Sequence, residues 1–264
     1  MSPRHELEAW YRAAGRTLLG YSGGVDSAVL AVVGVEALGA DFLAVIGRSA
    51  SYPAVQWETA LAVARDFGVP VLEVATEELA DDRYRANNPD RCYFCKTELW
   101  SRLHGIAAER GFGTIVDGTN TDDLGDHRPG AAAGRERGIR SPFLDLGWSK
   151  ARVREVAREL GLPVWDAPAA PCLSSRIAYG LEVTADRLRQ VELGEAFLRT
   201  LGVRGDLRVR HHGSRARVEV ARDQLAGLAN RWPEVEARFA ELGFTHVDLD
   251  PAGYRRGSLL PIAS

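Results

Sequence analysis

The sequence predicts an α/β protein in which a parallel sheet carries helices on both faces, followed by a small C-terminal α+β domain. Three observations lead there. Apolar runs of strand length alternate with stretches of helical periodicity across residues 17–161. The first of those runs passes through two adjacent glycines directly into a helix. A stretch holding Pro163, Pro168 and Pro171 then ends the alternation, and paired strands follow it.

In order along the chain, residues 1–16 set Arg4, Glu6, Glu8, Arg12 and Arg16 among apolar positions, the pattern of an amphipathic helix rather than a secretory signal. Residues 17–21 form a strand and 27–39 a helix closed by Gly39, a good C-cap. A strand at 41–46, a helix at 54–68, a strand at 69–74, a helix at 95–111, a strand at 114–117 and a helix at 149–161 with Ser149 as N-cap continue the alternation. Short apolar strands joined by helices belong to a sheet covered on both sides. Residues 162–180 form an ordered loop near a domain boundary, longer than most connections and so of functional interest. Beyond it the pattern gives a helix at 184–202, a hairpin of strands 206–211 and 216–220 joined at Gly213-Ser214, a helical stretch at 223–243 interrupted at Pro233, and a strand at 245–249. The expected division is residues 1–165, a linking loop at 166–183, and a substrate-binding or oligomerisation domain at 184–264.

At 264 residues, 45% hydrophobic and 26% charged, the composition is that of an ordinary globular protein with a sizeable core. A net charge of -3 argues against a broad nucleic-acid surface. Asp26 and the glycines interrupt the one long apolar run, which argues against a membrane span. With three cysteines, an odd number, a disulfide scaffold is not expected, and the protein is expected in the cytoplasm.

The chemistry is concentrated in four places. Ser22-Gly23-Gly24-Val25-Asp26-Ser27 joins the first strand to its helix; glycines there turn the backbone and bring its amides close to an anion, while Ser22 and Ser27 add hydroxyls and the helix start adds partial positive charge. This is a phosphate cradle, and not a Walker A loop, since no Gly-Lys pair follows. Such a loop lies at the carboxyl ends of the strands, where ligands of open α/β sheets bind. Cys92 and Cys95 stand at Cys-x-x-Cys spacing with Cys172 far along the chain; zinc, an iron-sulfur cluster, a dithiol redox pair and three separate thiols all fit this pattern. His104 and His127 are available to complete a zinc site, but neither stands at a standard spacing. Asp117-Gly118-Thr119-Asn120-Thr121-Asp122-Asp123 ends a strand in a polar turn whose carboxylates could hold Mg2+ or simply shape the turn, and Arg128-Pro129-Gly130 follows with positive charge. On the strand Leu207-Arg208-Val209-Arg210-His211-His212 the period of two puts Arg208 and Arg210 side by side without interleaved acids, a fork for phosphate or carboxylate, or a solvated strand face. Gly111-Phe112-Gly113 precedes a strand and is no dinucleotide fingerprint.

Ser22 to Ser27 resembles the PP-loop of the N-type ATP pyrophosphatases, which split ATP between its α- and β-phosphates and leave an adenylated substrate. Taken with Arg91-Cys92-Tyr93-Phe94-Cys95-Lys96-Thr97-Glu98-Leu99, Gly118 to Asp123, Arg128-Pro129-Gly130, Trp165-Asp166-Ala167-Pro168, Pro171-Cys172-Leu173-Ser174-Ser175-Arg176 and Tyr179-Gly180, the chain is similar to the LarE family of ATP-dependent sulfur transferases. The resemblance implies the adenine nucleotide alpha hydrolase-like fold of PP-loop enzymes. It implies adenylation of pyridinium-3,5-biscarboxylic acid mononucleotide by ATP with Mg2+, followed by conversion to a thiocarboxylate for a nickel-pincer cofactor. On this resemblance Ser22, Gly23, Gly24, Asp26, Ser27, Gly118, Asn120 and Asp122 bind the nucleotide; Asp26, Lys96 and Cys172 are catalytic; Ser174, Ser175, Arg176, Arg208 and Arg210 bind the substrate. Two sulfur sources exist in the family: members with only the counterpart of Cys172 give up its sulfur, whereas members that also have the Cys-x-x-Cys hold a [4Fe-4S] cluster with an extra sulfide. Cys92, Cys95 and Cys172 match the second type. A sulfide or other sulfur donor and a homo-oligomer are the partners expected. Another PP-loop adenylating enzyme, such as a transfer-RNA thiolase or an amide-forming ligase, and a non-catalytic nucleotide-binding or cluster-sensing regulator are the alternatives.

Overall fold

The computed structural model describes residues 2–125, 129–168 and 171–255. The elements in chain order are α1 (Pro3–Ala14), β1 (Thr17–Gly20), α2 (Val25–Leu38), β2 (Phe42–Arg48), α3 (Ala54–Asp66), β3 (Val71–Ala75), α4 (Asp82–Arg85), α5 (Arg91–Arg110), β4 (Thr114–Val116), α6 (Pro129–Glu136), α7 (Pro142–Asp145), α8 (Lys150–Glu159), α9 (Ala185–Thr200), β5 (Leu207–His212), β6 (Arg215–Val220), α10 (Leu225–Ala229), α11 (Trp232–Glu241) and β7 (His246–Leu249). The chain divides into two compact units: Met1–Glu78 with Cys92–Ala170, and Leu79–Arg91 with Pro171–Ser264.

The first unit is built on four parallel strands in the order β3-β2-β1-β4. Residues alternate faces along each strand, so neighbouring residues enter different cores. Leu19, Ala44, Ile46 and Val116 join α1, α2, α3 and α8 on one face, whereas Leu18, Val45 and Ile115 meet Trp100 and Leu103 of α5 and Ala133 of α6 on the other. Helix α2 is buried continuously from Ser27 to Gly34, and Gly34 is required there because a Cβ would lie 2.3 Å from the Phe42 ring. The chain runs outward from β1 to β3, then returns to place β4 on β1's other side. That reversal puts the carboxyl ends of β1 and β4 at the switch point of the sheet.

In the second unit α9 and α11 pack on a three-stranded sheet, β5-β6-β7. The expected hairpin is present as the antiparallel β5-β6 pair, while β7 adds parallel to β6, so the sheet is mixed. The break in the helical stretch falls before Pro233, which sits in the first turn of α11, where its missing N–H costs nothing. Helix α5 starts at Arg91, four residues earlier than its apolar periodicity indicated, because Asn88-Pro89-Asp90 turns the chain into it with the Arg91 N–H on the Asn88 carbonyl (2.9 Å). The expected caps are present: Gly39 ends α2 and Ser149 accepts the Arg152 N–H at 3.4 Å; Thr184 likewise caps α9, accepting the Arg187 N–H at 3.3 Å.

His211 anchors this second core. It is 1% exposed, its Nδ1 accepts the Gly213 N–H (3.2 Å), and its Nε2 donates to Gln190 Oε1 (2.9 Å). That arrangement suits only the neutral imidazole, and burial, then the charges of Arg187 and His212, lower its pKa from 6.5 to about 4. The unfolded chain binds this proton near pH 6.5 and the folded chain only near 4, so unfolding takes up a proton in between. The stability contributed by neutral His211 is complete above 6.5 and is lost as the pH falls through about 4. In urea titrations across that window, His211→Gln should show a flatter pH dependence than the parent; an unchanged slope would contradict the assignment.

Candidate active site

The loop after β1 is shaped by a residue that must have no side chain. Gly23 has φ of +70°, and a Cβ there would lie 2.5 Å from the Ala60 Cβ of α3. Gly24 stands at the N-cap of α2 and offers no side chain to cap the helix. The Ser27 hydroxyl donates to the Gly24 carbonyl (3.1 Å) and accepts the Ser22 N–H (3.2 Å), which leaves the Ser22 hydroxyl, 3.2 Å away, to donate to it. Ser22's carbonyl accepts from the Tyr52 hydroxyl (2.9 Å) and Gln56 Nε2 (2.8 Å). Helix geometry leaves the first-turn amides of α2 without intrahelical acceptors, so a rigid, uncapped, partly positive end is offered to an anion.

A second glycine brings the β4 turn against this end. A Cβ on Gly118 would lie 2.9 Å from the Asp26 Cβ and 3.2 Å from the Ser27 nitrogen. Asn120, 2% exposed, donates through Nδ2 to Asp26 Oδ1 at 3.2 Å, and Lys150 Nζ donates to the other oxygen, Oδ2. Asp122 accepts the Lys150 backbone N–H (3.3 Å). The remaining carboxylates shape the turn: Asp123 accepts the Asn120 N–H (3.0 Å), and Asp117 accepts the N–H (3.1 Å) and hydroxyl (2.9 Å) of Thr119 and the hydroxyl of Ser141 (2.6 Å).

Sequence reasoning missed Lys150, Tyr52 and Gln56. For Lys150 a signal exists: it is the first residue of α8, directly after the Ser149 cap, where a cation opposes the helix dipole and needs another reason to be there. Tyr52 and Gln56 carry no comparable mark. Their turn is held from below, since the hydroxyls of Ser49 and Ser51 donate to Oε1 of buried Glu78 and Tyr52 N–H donates to the Ser49 carbonyl (3.2 Å). Lys96 lies 5.1 Å from the Trp100 ring, with Gly130 of α6 against its side chain. Cys92, exposed, and Cys95, half-buried, share the first turn of α5 at a spacing that puts them on neighbouring positions of one face. His127 and Arg128 lie outside the described residues.

The second unit gathers the remaining predicted residues. A single-turn helix at Leu173–Arg176 follows Cys172, and Ile177 then pairs with His211, so this loop runs beside β5. Arg176 forks Glu195 of α9 (3.0 and 3.1 Å) and donates through Nη1 to the carbonyls of Pro171 (2.5 Å) and Cys172 (3.0 Å). Arg210 pairs with Glu219 (2.8 Å) and donates to the Ser175 carbonyl (3.2 Å). Arg208 donates to the Leu207 carbonyl (2.6 Å) and lies 5.1 Å from the Tyr254 ring. The arginines of β5 are thus buried rather than solvated, Arg208 8% and Arg210 6% exposed, as is Arg176 of the neighbouring loop at 4%. Acids absent between the arginines in sequence come instead from β6 and α9. Burial, then the Arg176 charge, lowers the Arg208 pKa, so an anion there would be favoured. Ser175 donates to the Cys172 carbonyl (2.7 Å), while the Ser174 hydroxyl, fully buried, meets that of Tyr84 at 2.5 Å.

Among the described residues no helix is long and apolar enough to cross a membrane. A family model described as NAD synthase matches residues 10–108. An uncharacterized protein of Synechocystis sp. is 41% identical over 260 residues, covering 98% of this chain and 97% of that protein. An uncharacterized protein of Methanocaldococcus jannaschii is 29% identical over 240 residues, 91% of each chain. The pyridinium-3,5-bisthiocarboxylic acid mononucleotide synthase of Lactiplantibacillus plantarum is 34% identical over 245 residues, 92% of this chain and 88% of the synthase. With the uncapped glycine loop at the switch point of a parallel sheet and this likeness extending through both units, the chain belongs to the LarE family of PP-loop, ATP-dependent enzymes.

Proposed function

We propose that the protein is an ATP-dependent sulfur transferase of nickel-pincer cofactor biosynthesis, which adenylates a carboxylate of pyridinium-3,5-biscarboxylic acid mononucleotide and converts it to a thiocarboxylate. The observation that carries this reading is the Pro171 to Arg176 loop beside β5. It joins a thiol, Cys172, to three buried guanidiniums suited to an anionic substrate. The name of the Lactiplantibacillus plantarum relative supports the substrate class.

The reaction has two steps, adenylation and sulfur transfer. A substrate carboxylate oxygen attacks the α-phosphorus of ATP, the bond from that phosphorus to the bridging oxygen breaks, and pyrophosphate leaves. A bare carboxylate is a poor electrophile, and its bond to AMP makes the acyl carbon open to attack. The amides at the start of α2, with Ser22, Ser27 and Lys150, stabilise charge arising on pyrophosphate. Asp26 holds the Lys150 ammonium, and Asp26 and Asp122 are the carboxylates that would hold Mg2+, which ordinarily takes one or two carboxylates along with phosphate oxygens. Gly118 and Asn120 keep Asp26 in place. Arg208 and Arg210 bind the substrate phosphate, and Arg176 orders the loop that carries Cys172, Ser174 and Ser175. A sulfur nucleophile then attacks the acyl carbon, the carbon-oxygen bond to AMP breaks, and the thiocarboxylate forms. Lys96 remains a candidate catalytic residue on family resemblance alone.

The sulfur source in this proposal is a [4Fe-4S] cluster carrying an extra sulfide on Cys92, Cys95 and Cys172. Its support is the donor chemistry: two thiols on one helical turn and a third on the arginine loop. Among the described residues, however, no group of three or more His, Cys, Asp or Glu side chains is gathered to hold a metal. The steps above require only a sulfur nucleophile.

Pyrophosphate release from ATP in the presence of the biscarboxylate mononucleotide tests the adenylation; release with RNA and none with the mononucleotide would overturn it. Lys150→Ala should lower that release by about 10²–10³-fold, the usual loss when one preorganised charge-stabilising donor is removed, and Lys150→Arg should recover part of it. Anaerobic iron and sulfide analysis decides the sulfur source. Reconstituted protein should hold about four irons per chain, the stoichiometry of such a cluster, and Cys92→Ala should hold none. Stoichiometric zinc without iron, or Cys172 found without its sulfur by mass spectrometry after turnover, would refute the cluster.

A further inference from the structure

Asn87 is, among the described residues, the one non-glycine with a positive φ (56°), and it is fully buried. Glycine would meet that backbone demand without strain, so the side chain must justify its place. Its Nδ2 donates to three carbonyls of one loop, Ile177 (3.3 Å), Ala178 (2.8 Å) and Leu181 (2.9 Å), and its own carbonyl accepts the Gly180 N–H (3.3 Å). Oδ1 accepts from Arg91 Nη1, which also donates to the Ser174 carbonyl (2.9 Å). Tyr84 meets the Ser174 hydroxyl, and the Val183 N–H donates to the Arg85 carbonyl (2.9 Å). The Leu79–Arg91 segment therefore holds the loop after Cys172 at Ser174, 177, 178, 180, 181 and 183, and every one of these bonds lies within the second unit.

We propose that Asn87 is a positioning residue for the sulfur-transfer step: with Arg91 it sets the course of residues 174–181 and thereby the placement of Cys172, Ser175 and Arg176 against Arg210. The functional part of this inference rests on the reaction proposed above, whereas the mechanical part does not. In the full-length protein, Asn87→Gly keeps the backbone geometry and removes the clamp. Its melting temperature should fall by roughly a few degrees, while amide exchange at Ile177, Ala178 and Leu181 and iodoacetamide alkylation of Cys172 each speed up about tenfold and protection elsewhere is kept, as expected when local buried anchoring bonds are lost. The KM for the mononucleotide should rise while the KM for ATP is unchanged. Asn87→Asp, which points a carboxylate at three carbonyls, should loosen the loop further than glycine. Unchanged exchange and alkylation in Asn87→Gly, or an equal rise in both KM values with a general loss of protection, would overturn the proposal. Faster alkylation in the variant together with no pyrophosphate release by the parent would uphold the clamp and refute the reaction.

Discussion

The bare N-terminus of α2 is the constraint around which the first unit is arranged. A helix start inside a protein is normally closed by its N-cap side chain; here two glycines keep neighbouring backbone close and Gly24 at the N-cap has no side chain to close it. Every nearby contact serves that state: Tyr52 and Gln56 hold the Ser22 carbonyl, Ser27 closes the loop internally, and Asn120 and Lys150 keep Asp26 to one side. Filling the end from within would improve the apo protein and remove its purpose.

The second unit solves the opposite problem. Three guanidiniums are buried close together, and desolvating them is costly unless acids answer. Glu195 and Glu219 answer two, and the backbone carbonyls of Pro171, Cys172, Ser175 and Leu207 take further donors.

The fold was legible in sequence because its strands are short, apolar and separated by helices, and because Ser22 to Ser27 lies where such a sheet changes direction. The arginine strand and the Cys172 loop were legible too, and the chain brings them together through the Ile177 pairing with His211. What sequence could not give were contacts between residues far apart. Lys150 is one of only two lysines and stands at a helix start, yet the reason for its place, its partner Asp26, is seen only across the unit. The acids on β6 and α9 were invisible for the same reason, since the period of two along one strand says nothing of its neighbours. Asn87 carries no mark in the sequence, because its meaning is tertiary.

The route of the chain has a consequence for the order in which the protein is made. Leu79–Arg91 is synthesised between β3 and α5, long before the strands of the unit to which it belongs. On the ribosome it must therefore remain without its partners while the first unit is completed, and Asn87 can accept its left-handed backbone only when residues 177–181 arrive. Domains emerging in sequence usually fold as they appear. Here the contacts that hold the Cys172 loop come from segments on both sides of it in sequence, so the thiol loop takes its final shape only after the four-stranded sheet has been translated in full.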